Sequence, residues 1–473
     1  MIDRHRRSLA TVAELSEIAE LVSRVRAGAA AGLLASEEAR VTQLRQLKRL
    51  LEENDARISD ALAADLGKSP VESYATETSF VVGEVEHAIE HLGQWMQPTR
   101  VRVPLTLRPG NARVVRQPLG VVLIVAPWNY PVHLTFAPLV GALSAGNTAI
   151  LKPSEAAPAT STLIAELVPK YLDGRLVQVV EGGAEQTTAL LAERFDHILY
   201  TGGGEVARIV MRAAAEHLTP VTLELGGKSP AIVAADADID VAARRIVWGR
   251  FTNAGQTCVA PDYVLVVRSV EDRLLGAVLR AVHDFYGENP KTSPDFGRIV
   301  NDRHFDRLTG LLDAGGYEAV VTGGGSDRTT RYVAPTVLAG VDPGAAVMSE
   351  EIFGPILPVL AVDSLDEAVT FISARPHPLA LYVFTEDTPT AERVIERTRS
   401  GGVGVNHTMI HLGVPDLPFG GVGASGIGAY HGEAGFDRLS HRRAVLVKAT
   451  KPDPSVIYPP YKRWKEAILR RVL

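Results

Sequence analysis

The fold is decided by the stretch His197-Ile198-Leu199-Tyr200-Thr201-Gly202-Gly203-Gly204-Glu205-Val206-Ala207. Its first residues form an apolar run typical of a buried strand, and a helix-like segment follows the three glycines. This order satisfies the G-x-G-x-x-G/A dinucleotide pattern, in which glycines let the backbone approach a pyrophosphate at the N-terminus of a helix. Because three glycines also occur in plain turns, the pattern alone only favours a cofactor site.

Strands and helices alternate on both sides of this loop. We expect strands at Val121–Ala126, Ala149–Leu151, Val177–Val180, His197–Tyr200 and Val221–Leu225, and helices at Val132–Ser144, Ala157–Leu172, Ala184–Ala192 and Glu205–His217. Apolar strands separated by helices of this length indicate βαβ units and a parallel sheet covered on both faces. A second α/β region is expected at 230–406, with strands near Tyr263–Val267, Ala319–Thr322, Ile356–Leu360 and Ala380–Phe384.

The chain before residue 120 is expected to be helical and then to form a hairpin. Apolar residues recur at helical spacing over 12–66, and a further amphipathic helix is expected at Val71–Met96. Residues 98–118 alternate apolar residues with Arg or Thr around Pro109-Gly110-Asn111, which predicts a β-hairpin. Such a hairpin suits a subunit contact, although a plain surface ribbon fits the pattern equally well.

Composition excludes several classes of function. The 49 basic and 55 acidic residues are spread along the 473-residue chain, which gives no electrostatic footprint for nucleic acid. A single cysteine leaves no intrachain disulfide and fits a reducing compartment. The basic start at 1–7 is not followed by an apolar h-region, so we expect a cytoplasmic protein.

Membrane contact is not expected. The most apolar region, 118–151, is broken by prolines and polar residues, which favours a strand, turn and helix in a core over a span. The basic amphipathic stretch Lys462–Leu473 is too short to cross a bilayer. Packing of this stretch on the protein's own surface is favoured over contact with an anionic membrane.

The single cysteine, Cys258, lies in a predicted loop. A helix-like segment at 236–251 precedes it and the strand at Tyr263–Val267 follows it. A thiol on such a loop can be presented to a substrate, and the thiolate is the strongest nucleophile that a side chain offers. The alternative is a small buried hydrophobic residue, which describes most single cysteines.

Glu224 lies at the end of a predicted strand and has three interpretations. Distance from the glycine loop assigns it to the hydroxyls of a ribose. Alternation along the strand places it on the face opposite Leu223 and Leu225, from which its carboxylate can act as a general base. In the third interpretation the carboxylate is satisfied by backbone N–H groups at the strand end.

Two other clusters follow predicted strands. Asn129 comes directly after the first strand, where its amide can donate to a developing oxyanion or form an Asx-turn. Lys152-Pro153-Ser154-Glu155 follows the second strand and offers a cation and an anion, either to ribose hydroxyls or to each other as a surface ion pair. Because ligands of open α/β sheets bind at the carboxyl ends of strands, we expect these clusters to share one site with the glycine loop.

Together these motifs resemble the aldehyde dehydrogenase superfamily, over about residues 15–450. The motifs occur in the family's order and spacing: Pro127-Trp128-Asn129, Lys152-Pro153-Ser154-Glu155, Glu224-Leu225-Gly226-Gly227-Lys228, Gly255-Gln256-Thr257-Cys258 and Glu351-Ile352-Phe353-Gly354-Pro355. Residues 418–423 and 431–443 resemble the class 3 and fatty aldehyde branch specifically. The resemblance implies a Rossmann-type cofactor domain (1–96 and 119–224), a catalytic domain (225–405), oligomerisation or bridging elements (97–118 and 406–450) and a tail (451–473).

The resemblance also implies a mechanism. Cys258 attacks the aldehyde carbon, Asn129 and the Cys258 backbone N–H stabilise the oxyanion of the thiohemiacetal, and hydride transfer leaves a thioester. Glu224 then activates the water that releases the acid, a role we prefer to the ribose because Lys152 and Glu155 supply the ribose contact. Loop N–H groups, a helix end and bound cofactor are expected to increase the thiolate fraction of Cys258.

The cofactor implied is NAD, with NADP as an alternative, and no metal is expected. Its binding set is Trp128, Lys152, Pro153, Ser154, Glu155, Gly202, Gly203, Gly204, Glu205, Leu225, Gly226, Glu351 and Phe353. The sequence departs from the family's usual Gly-Ser-Thr-x-x-Gly loop, because Gly203 and Gly204 replace the two hydroxyl residues. A hydroxyl donor to the phosphates is therefore missing, while Glu155 would repel a 2′-phosphate and so favour NAD.

The resemblance further implies a small-molecule aldehyde substrate, medium-chain aliphatic or aromatic, and a homodimer. Two alternatives remain open at this point. In a CoA-acylating relative, CoA resolves the thioester, and such enzymes generally do not need a Glu at position 224. A non-catalytic descendant of the fold would be expected to have lost Cys258, Glu224 or Asn129, and all three are present.

Overall fold

The computed structural model describes residues 15–472, so the predicted start at 1–7 and the helical residues 12–14 lie outside the described chain. The helices are α1 (Leu15–Ala30), α2 (Glu37–Glu53), α3 (Asp55–Leu66), α4 (Pro70–Ser73), α5 (Ser79–Trp95), α6 (His133–Ser144), α7 (Pro158–Tyr171), α8 (Ala184–Ala192), α9 (Gly204–Glu216), α10 (Ile239–Phe251), α11 (Glu271–Tyr286), α12 (Asp302–Asp313), α13 (Ala346–Ser349), α14 (Leu365–Ser373), α15 (Thr388–Arg397), α16 (Gly432–Arg438) and α17 (Arg463–Val472).

The strands are β1 (Thr99–Val101), β2 (Gly110–Pro118), β3 (Val121–Val125), β4 (Thr148–Lys152), β5 (Val177–Val179), β6 (His197–Thr201), β7 (Val221–Glu224), β8 (Pro230–Val233), β9 (Tyr263–Val267), β10 (Ala319–Thr322), β11 (Ser326–Asp327), β12 (Tyr332–Val333), β13 (Thr336–Ala339), β14 (Ile356–Val362), β15 (Ala380–Phe384), β16 (Gly402–Val405), β17 (Gly426–Ile427) and β18 (Ser440–Lys448).

The first sheet has the order β17-β7-β6-β3-β4-β5, and its five main strands are parallel. Both of its faces are covered. Val122 and Ile124 of β3 pack in a core with α2, α3, α5, α6 and α7, whereas Val121 and Leu123 pack in a core with α1, α8 and α9. This is the pattern of a parallel sheet buried on both sides, so the predicted α/β fold is confirmed.

The order of the first sheet reverses beside β3. The chain runs outward from β3 to β4 and β5, and then returns to place β6 and β7 on the other side of β3. A crevice opens at the carboxyl ends of strands where the order reverses in this way. Here the crevice lies between Pro127, which follows β3, and Gly202, which follows β6.

The second sheet has the order β10-β13-β14-β9-β8-β15-β16, with all neighbours parallel except β10 and β13. Three of its strands, β8, β13 and β16, were not expected from the sequence. They are only four residues long, β8 begins with a proline, and β16 reads Gly-Val-Gly-Val, so each lacks a clear strand pattern.

The helix expected at Val71–Met96 is interrupted. Between α4 and α5, residues Tyr74–Thr78 form a π-helical turn, in which one extra residue is inserted per turn. The chain nevertheless stays helical without a gap from α4 to α5, which explains why the sequence predicted one helix. π-turns inside helices are frequent at functional sites, and this one borders the cavity described below.

The third sheet is three-stranded, with β2 paired antiparallel to both β1 and β18. The hairpin of β1 and β2 is present, but its turn is not centred on Pro109-Gly110-Asn111. The register pairs Val101 with Ala112, so the connection spans 102–109 and contains a 3₁₀ turn at Leu105–Leu107, while Gly110 and Asn111 belong to β2. The predicted turn position was wrong because the Pro-Gly-Asn signal starts the second strand.

The C-terminal helix α17 differs from expectation. Trp464, Ile468 and Val472 are exposed along it, so these side chains are not packed on the protein's own surface as the sequence suggested. Lys465 is buried within the tail and donates to the Tyr458 carbonyl oxygen at 2.7 Å. Across residues 15–472, no helix combines the length and apolar character that a membrane crossing requires.

Candidate active site

A cavity of about 370 Å³ opens at the crevice of the first sheet. Its walls come from the ends of β3, β6 and β7, from the loop before β9 and from the segment before β14. The structure thereby brings together ten of the residues singled out in the sequence: Trp128, Asn129, Gly202, Gly203, Glu224, Leu225, Gly226, Cys258, Glu351 and Phe353.

The loop that carries Cys258 is held by an unusual backbone. After α10 ends, Asn253, Ala254 and Gly255 all have positive φ angles, of 52°, 51° and 75°. A Cβ on Gly255 would lie 2.3 Å from the Gly354 carbonyl oxygen, so only glycine fits there. Left-handed backbone at non-glycine residues is strained and is concentrated at functional sites.

Cys258 is half-buried, and its surroundings oppose ionisation. Burial first, and then the nearby carboxylates of Glu351 and Glu224, raise the pKa of the thiol to about 12, although the backbone N–H groups of Cys258 and Val259 act in the opposite direction. The loop N–H groups thus act in the expected direction, but in the protein without cofactor burial and the two carboxylates outweigh them. A desolvated site between two acids stabilises the neutral thiol.

Asn129 is buried, and its amide points at the loop of Cys258. Asn129 Nδ2 donates to the Gln256 carbonyl oxygen at 3.0 Å. The backbone carbonyl oxygen of Asn129 accepts from Lys68 Nζ at 3.1 Å and from Asn253 Nδ2 at 2.8 Å. These two bonds hold the residue in place. An amide nitrogen carries two N–H bonds, so one donor remains for a ligand in the cavity. This arrangement is not the Asx-turn that was the alternative.

Glu224 is 2% exposed, and neither of its carboxylate oxygens has a hydrogen-bond partner in the described chain. The interpretation of a carboxylate satisfied by backbone N–H groups is therefore wrong. Burial raises the pKa of Glu224 well above its usual value, partly opposed by the Arg438 cation. A buried carboxylate with free acceptors and a raised pKa is suited to take a proton from water.

A second, apolar cavity of about 250 Å³ reaches Cys258 from the other side. Its wall includes Phe80 of α5, Trp248 of α10, and Ile410 and Leu412 from the loop after β16. The π-turn contributes Ala75 and Thr76. Cys258, Leu134, Phe419 and Tyr430 line both cavities, so the sulfur lies where the two spaces meet.

The glycine loop fits a dinucleotide phosphate. Only Gly202 and Gly203 separate β6 from α9, which places the helix N-terminus at the carboxyl edge of the sheet. A Cβ on Gly203 would meet nothing within 4 Å, so open space lies above the loop. A further cavity of about 570 Å³ adjoins it and is lined by Gly203, Gly204, Leu225 and Gly226. Free N–H groups and a helix dipole in open space favour an anionic ligand.

Glu351 lies against Gly226 in this structure. A Cβ on Gly226 would lie 1.9 Å from Glu351 Oε2, so the carboxylate occupies the space that the missing side chain leaves. Burial and the charge of Asp262 raise the pKa of Glu351 to about 8. Phe353 stands edge-on to Trp128, with ring centroids 5.3 Å apart, at the wall of the same cavity.

The Lys152–Glu155 cluster lies at the same sheet edge but outside the walls of these cavities. Lys152 is buried, and its Nζ donates to the Pro153 carbonyl oxygen at 2.8 Å and to Glu155 Oε2 at 3.3 Å. Ser154 Oγ accepts from the Ala156 N–H at 3.3 Å, while Glu205 is exposed in the first turn of α9. Glu155 is exposed, so its carboxylate is open to solvent beside the buried Lys152 cation.

Sequence reasoning missed several wall residues. Arg303, His304 and Arg307 of α12 line the cofactor-side cavity, and the His304 ring lies 5.0 Å from the Trp128 ring. The spacing of Arg303 and Arg307 puts both on one face of a helix, which was a usable signal. Phe419 and Tyr430 come from a glycine-rich segment with no periodic pattern. Within 15–472, no group of three or more His, Cys, Asp or Glu side chains could hold a metal ion.

Comparison with known proteins identifies relatives over most of the chain. Residues 8–445 match the model of the aldehyde dehydrogenase family. The chain is 49% identical to the rat "Aldehyde dehydrogenase, dimeric NADP-preferring" over 448 residues, which cover 94% of this chain and 98% of the relative. It is 50% identical to the rat "Aldehyde dehydrogenase family 3 member A2" over 423 residues, which cover 89% and 87% of the two chains.

The same similarity appears in three dimensions. A solved structure described as the substrate-bound state of Staphylococcus aureus AldH superposes with a TM-score of 0.93 at 45% sequence identity. The superposition covers 96% of this chain and 99% of that one.

Proposed function

Because the chain belongs to the aldehyde dehydrogenase family, whose members oxidise aldehydes with NAD or NADP, we propose that Cys258 is the nucleophile of this reaction. The thiol proton passes to solvent water, and the sulfur bonds to the aldehyde carbon while the carbonyl electron pair moves onto the oxygen. The free N–H of Asn129 Nδ2 and the backbone N–H of Cys258 then donate to the oxyanion of the thiohemiacetal. Bound NAD or NADP supplies the acceptor for the hydride that leaves this carbon.

Glu224 is proposed to complete the reaction. After hydride loss the substrate is held on Cys258 as a thioester. Glu224 accepts a proton from water, the water oxygen bonds to the thioester carbon, and the carbon–sulfur bond breaks to release the carboxylic acid. The observation that carries this proposal is the position of Cys258 between an apolar cavity and one that Asn129 and Glu224 line.

The apolar cavity supports a medium-chain aliphatic or aromatic aldehyde as substrate. Its wall consists largely of Phe80, Trp248, Ile410, Leu412 and other apolar side chains, and it ends at the sulfur. Burying a hydrocarbon chain there is favourable by about 0.8 kcal/mol for each methylene group. A series of aldehydes of increasing length tests this, since kcat/KM should rise with each methylene until the cavity is full.

The orphaned acceptors of Glu224 favour water over CoA as the group that resolves the thioester. A carboxylate with two free oxygens is the base that hydrolysis needs, whereas a thiol such as CoA ionises more readily without it. We also propose NAD as the preferred cofactor and NADP as an alternative, because Glu155 is open to solvent where it would repel a 2′-phosphate. Comparing KM for the two cofactors tests this preference.

Reduction of NAD or NADP, followed by absorbance with a panel of aldehydes, tests the role of Cys258. Cys258→Ala should lose at least a thousandfold in turnover, because no other side chain in the chain is a thiol. Cofactor binding should be retained in the variant. A variant that still oxidises aldehydes would remove the sulfur from the mechanism.

We also propose that the protein is a homodimer, with a cofactor domain at 1–96 and 119–224, a catalytic domain at 225–405, oligomerisation or bridging elements at 97–118 and 406–450, and a tail at 451–473. In the described chain β18 pairs with β2 alone, so its second edge is free, and Leu446 and Val447 are exposed on it. A long strand edge with exposed apolar residues is a template for pairing with another chain.

A further inference from the structure

Tyr430 has an unusual position among the residues around Cys258. Its side chain is 2% exposed, and its hydroxyl oxygen has no hydrogen-bond partner in the described chain. The residue lines both the cofactor-side cavity and the apolar cavity. A buried tyrosine hydroxyl normally finds a partner, and leaving it without one is unfavourable. An orphaned hydroxyl at a cavity wall therefore indicates a ligand.

The backbone holds Tyr430 rigidly in this place. Its N–H donates to the Phe419 carbonyl oxygen at 2.8 Å, and its carbonyl oxygen accepts from the Phe419 N–H at 3.0 Å. Its ring stacks on that of His431, with centroids 4.2 Å apart, and His431 Nδ1 lies 2.9 Å from Glu84 Oε1. A side chain fixed in this way keeps its hydroxyl in one position.

The same segment is joined to the strand that carries Glu224. Gly426 of β17 pairs with Glu224 of β7, and the Leu225 N–H donates to the Ser425 carbonyl oxygen at 3.1 Å. Burial first, and then the nearby Glu224 carboxylate, raise the pKa of Tyr430 well above its usual value. The hydroxyl therefore stays protonated and remains a donor.

Donor and acceptor complement each other across this cavity. Glu224 offers two oxygens without a donor, and Tyr430 offers a hydroxyl without a partner. A buried water molecule usually makes about three hydrogen bonds to polar groups that have no other partner. A water molecule between Glu224, Tyr430 and the carbon bound to Cys258 would give the Tyr430 hydroxyl an acceptor and one Glu224 oxygen a donor.

We propose that Tyr430 is a further catalytic residue, whose hydroxyl donates a hydrogen bond to the water that hydrolyses the thioester on Cys258. This inference rests on the proposed roles of Cys258 and Glu224. One hydrogen of the water faces Glu224 and one lone pair accepts from Tyr430, which leaves the other lone pair aimed at the thioester carbon. As the carbon–oxygen bond forms, the proton passes to Glu224, and the carbon–sulfur bond breaks to return the sulfur of Cys258.

Removing only the hydroxyl separates this role from packing. In Tyr430→Phe the first turnover should form one equivalent of NADH per site at the wild-type rate, because hydride transfer precedes hydrolysis. Steady-state turnover should fall about tenfold or more, since a positioned donor is lost from the second step. Acid-quenched samples should then contain more thioester on Cys258 than the wild type.

Two controls sharpen the test. Tyr317→Phe makes the same chemical change at a hydroxyl that bonds the Leu312 carbonyl oxygen at 2.9 Å, outside the cavity walls described here, and should behave as the wild type. Hydroxylamine attacks thioesters without a base or a positioned water molecule. Adding it should restore turnover in Tyr430→Phe more than in the wild type.

The outcomes are distinguishable. If the wild type makes no NADH or NADPH with aldehydes, or if Cys258→Ala keeps its activity, the proposed function fails. If the wild type behaves as proposed but Tyr430→Phe has unchanged turnover and thioester level, the inference about Tyr430 is overturned. A first turnover slowed as much as the steady state would also overturn it, because it would indicate a structural role for the ring.

Discussion

Cys258 carries a thiol whose neighbours oppose its ionisation. With a pKa of about 12, only a minute fraction is thiolate near neutral pH in the protein without cofactor or substrate. Glu351 is the larger of the two charged causes, and its carboxylate lies against Gly226, on ground that the cofactor is proposed to use. Movement of this carboxylate away from Cys258 when a ligand binds would therefore lower the pKa of the thiol and increase its thiolate fraction.

The rate at which iodoacetamide alkylates Cys258 should report this. In the wild type the rate should rise about tenfold per pH unit between pH 9 and 10, where Glu351 is already ionised and the pH lies below the thiol pKa of about 12. Glu351→Gln should react faster than the wild type above pH 8, where Glu351 is ionised. Near pH 6 the two should agree, because the pKa of Glu351 is about 8 and its carboxyl is then neutral.

Glu350→Gln is the matched control, because Glu350 is exposed beside Glu351 and is not among the causes of the Cys258 shift. Its alkylation profile should match the wild type. A Glu351→Gln profile that equals the wild type at every pH would show that Glu351 does not hold the thiol neutral.

At this scale the sequence predicted which residues would meet, but not their state. Strand ends and the glycine loop placed Asn129, Glu224 and Gly202 at one edge, and the structure has them on one cavity with Cys258. The raised pKa of the Cys258 thiol could not be predicted, because it depends on how deeply the fold buries the sulfur and on how close Glu351 then lies. Tyr430 was missed because its glycine-rich segment has no sequence pattern that indicates a cavity wall.

At the scale of elements, one buried ion pair joins the helical region to the site. Lys68 Nζ and Glu77 Oε1 are 2.6 Å apart, and both side chains are fully buried. Glu77 Oε2 also accepts from the N–H groups of Val132 and His133, which satisfies donors at the start of α6. The pair thereby joins the π-turn to α6. Lys68 also donates to the backbone carbonyl oxygen of Asn129, so the pair holds Asn129 in place as well.

Glu77→Gln should therefore be strongly destabilising. Removing one charge of a buried pair leaves the other without its counterion, and we expect this to lower the free energy of unfolding by about 3–5 kcal/mol. Glu53→Gln breaks an exposed pair, Arg49–Glu53 at 2.9 Å, and should lower the unfolding temperature far less, because solvent screens exposed charges. Thermal unfolding of the two variants beside the wild type measures the difference. Equal shifts would contradict the structural role of the buried pair.

The elements themselves were predictable where their own residues carry an apolar strand or helix pattern. The strands Tyr263–Val267, Ala319–Thr322 and Ala380–Phe384 and the helix Ala184–Ala192 have the predicted bounds. β8 and β16 were missed because β8 begins with a proline and β16 reads Gly-Val-Gly-Val, and neither composition is typical of a strand. The π-turn after α4 was missed because the chain stays helical on both sides of it and no Gly or Pro marks its position.

At the scale of the whole molecule, the free edge of β18 predicts association. The protein should sediment as a dimer, and Leu446→Asp should shift it toward the monomer by placing a buried charge in the proposed contact. Leu279→Asp alters an equally apolar, exposed residue on α11 and should leave the dimer intact. A Leu446→Asp variant that stays dimeric would move the contact away from β18.

The most direct test of the account is the intact mass of acid-quenched Glu224→Gln protein after mixing with NAD and a medium-chain aldehyde. Because Glu224 is proposed to activate the water, the variant should accumulate one acyl group per chain, and peptide mapping should locate it on Cys258, the single cysteine. The double variant Glu224→Gln, Cys258→Ala, treated in the same way, should carry no acyl group. If Glu224→Gln turns over at the wild-type rate with no acyl group on Cys258, the proposed mechanism is contradicted.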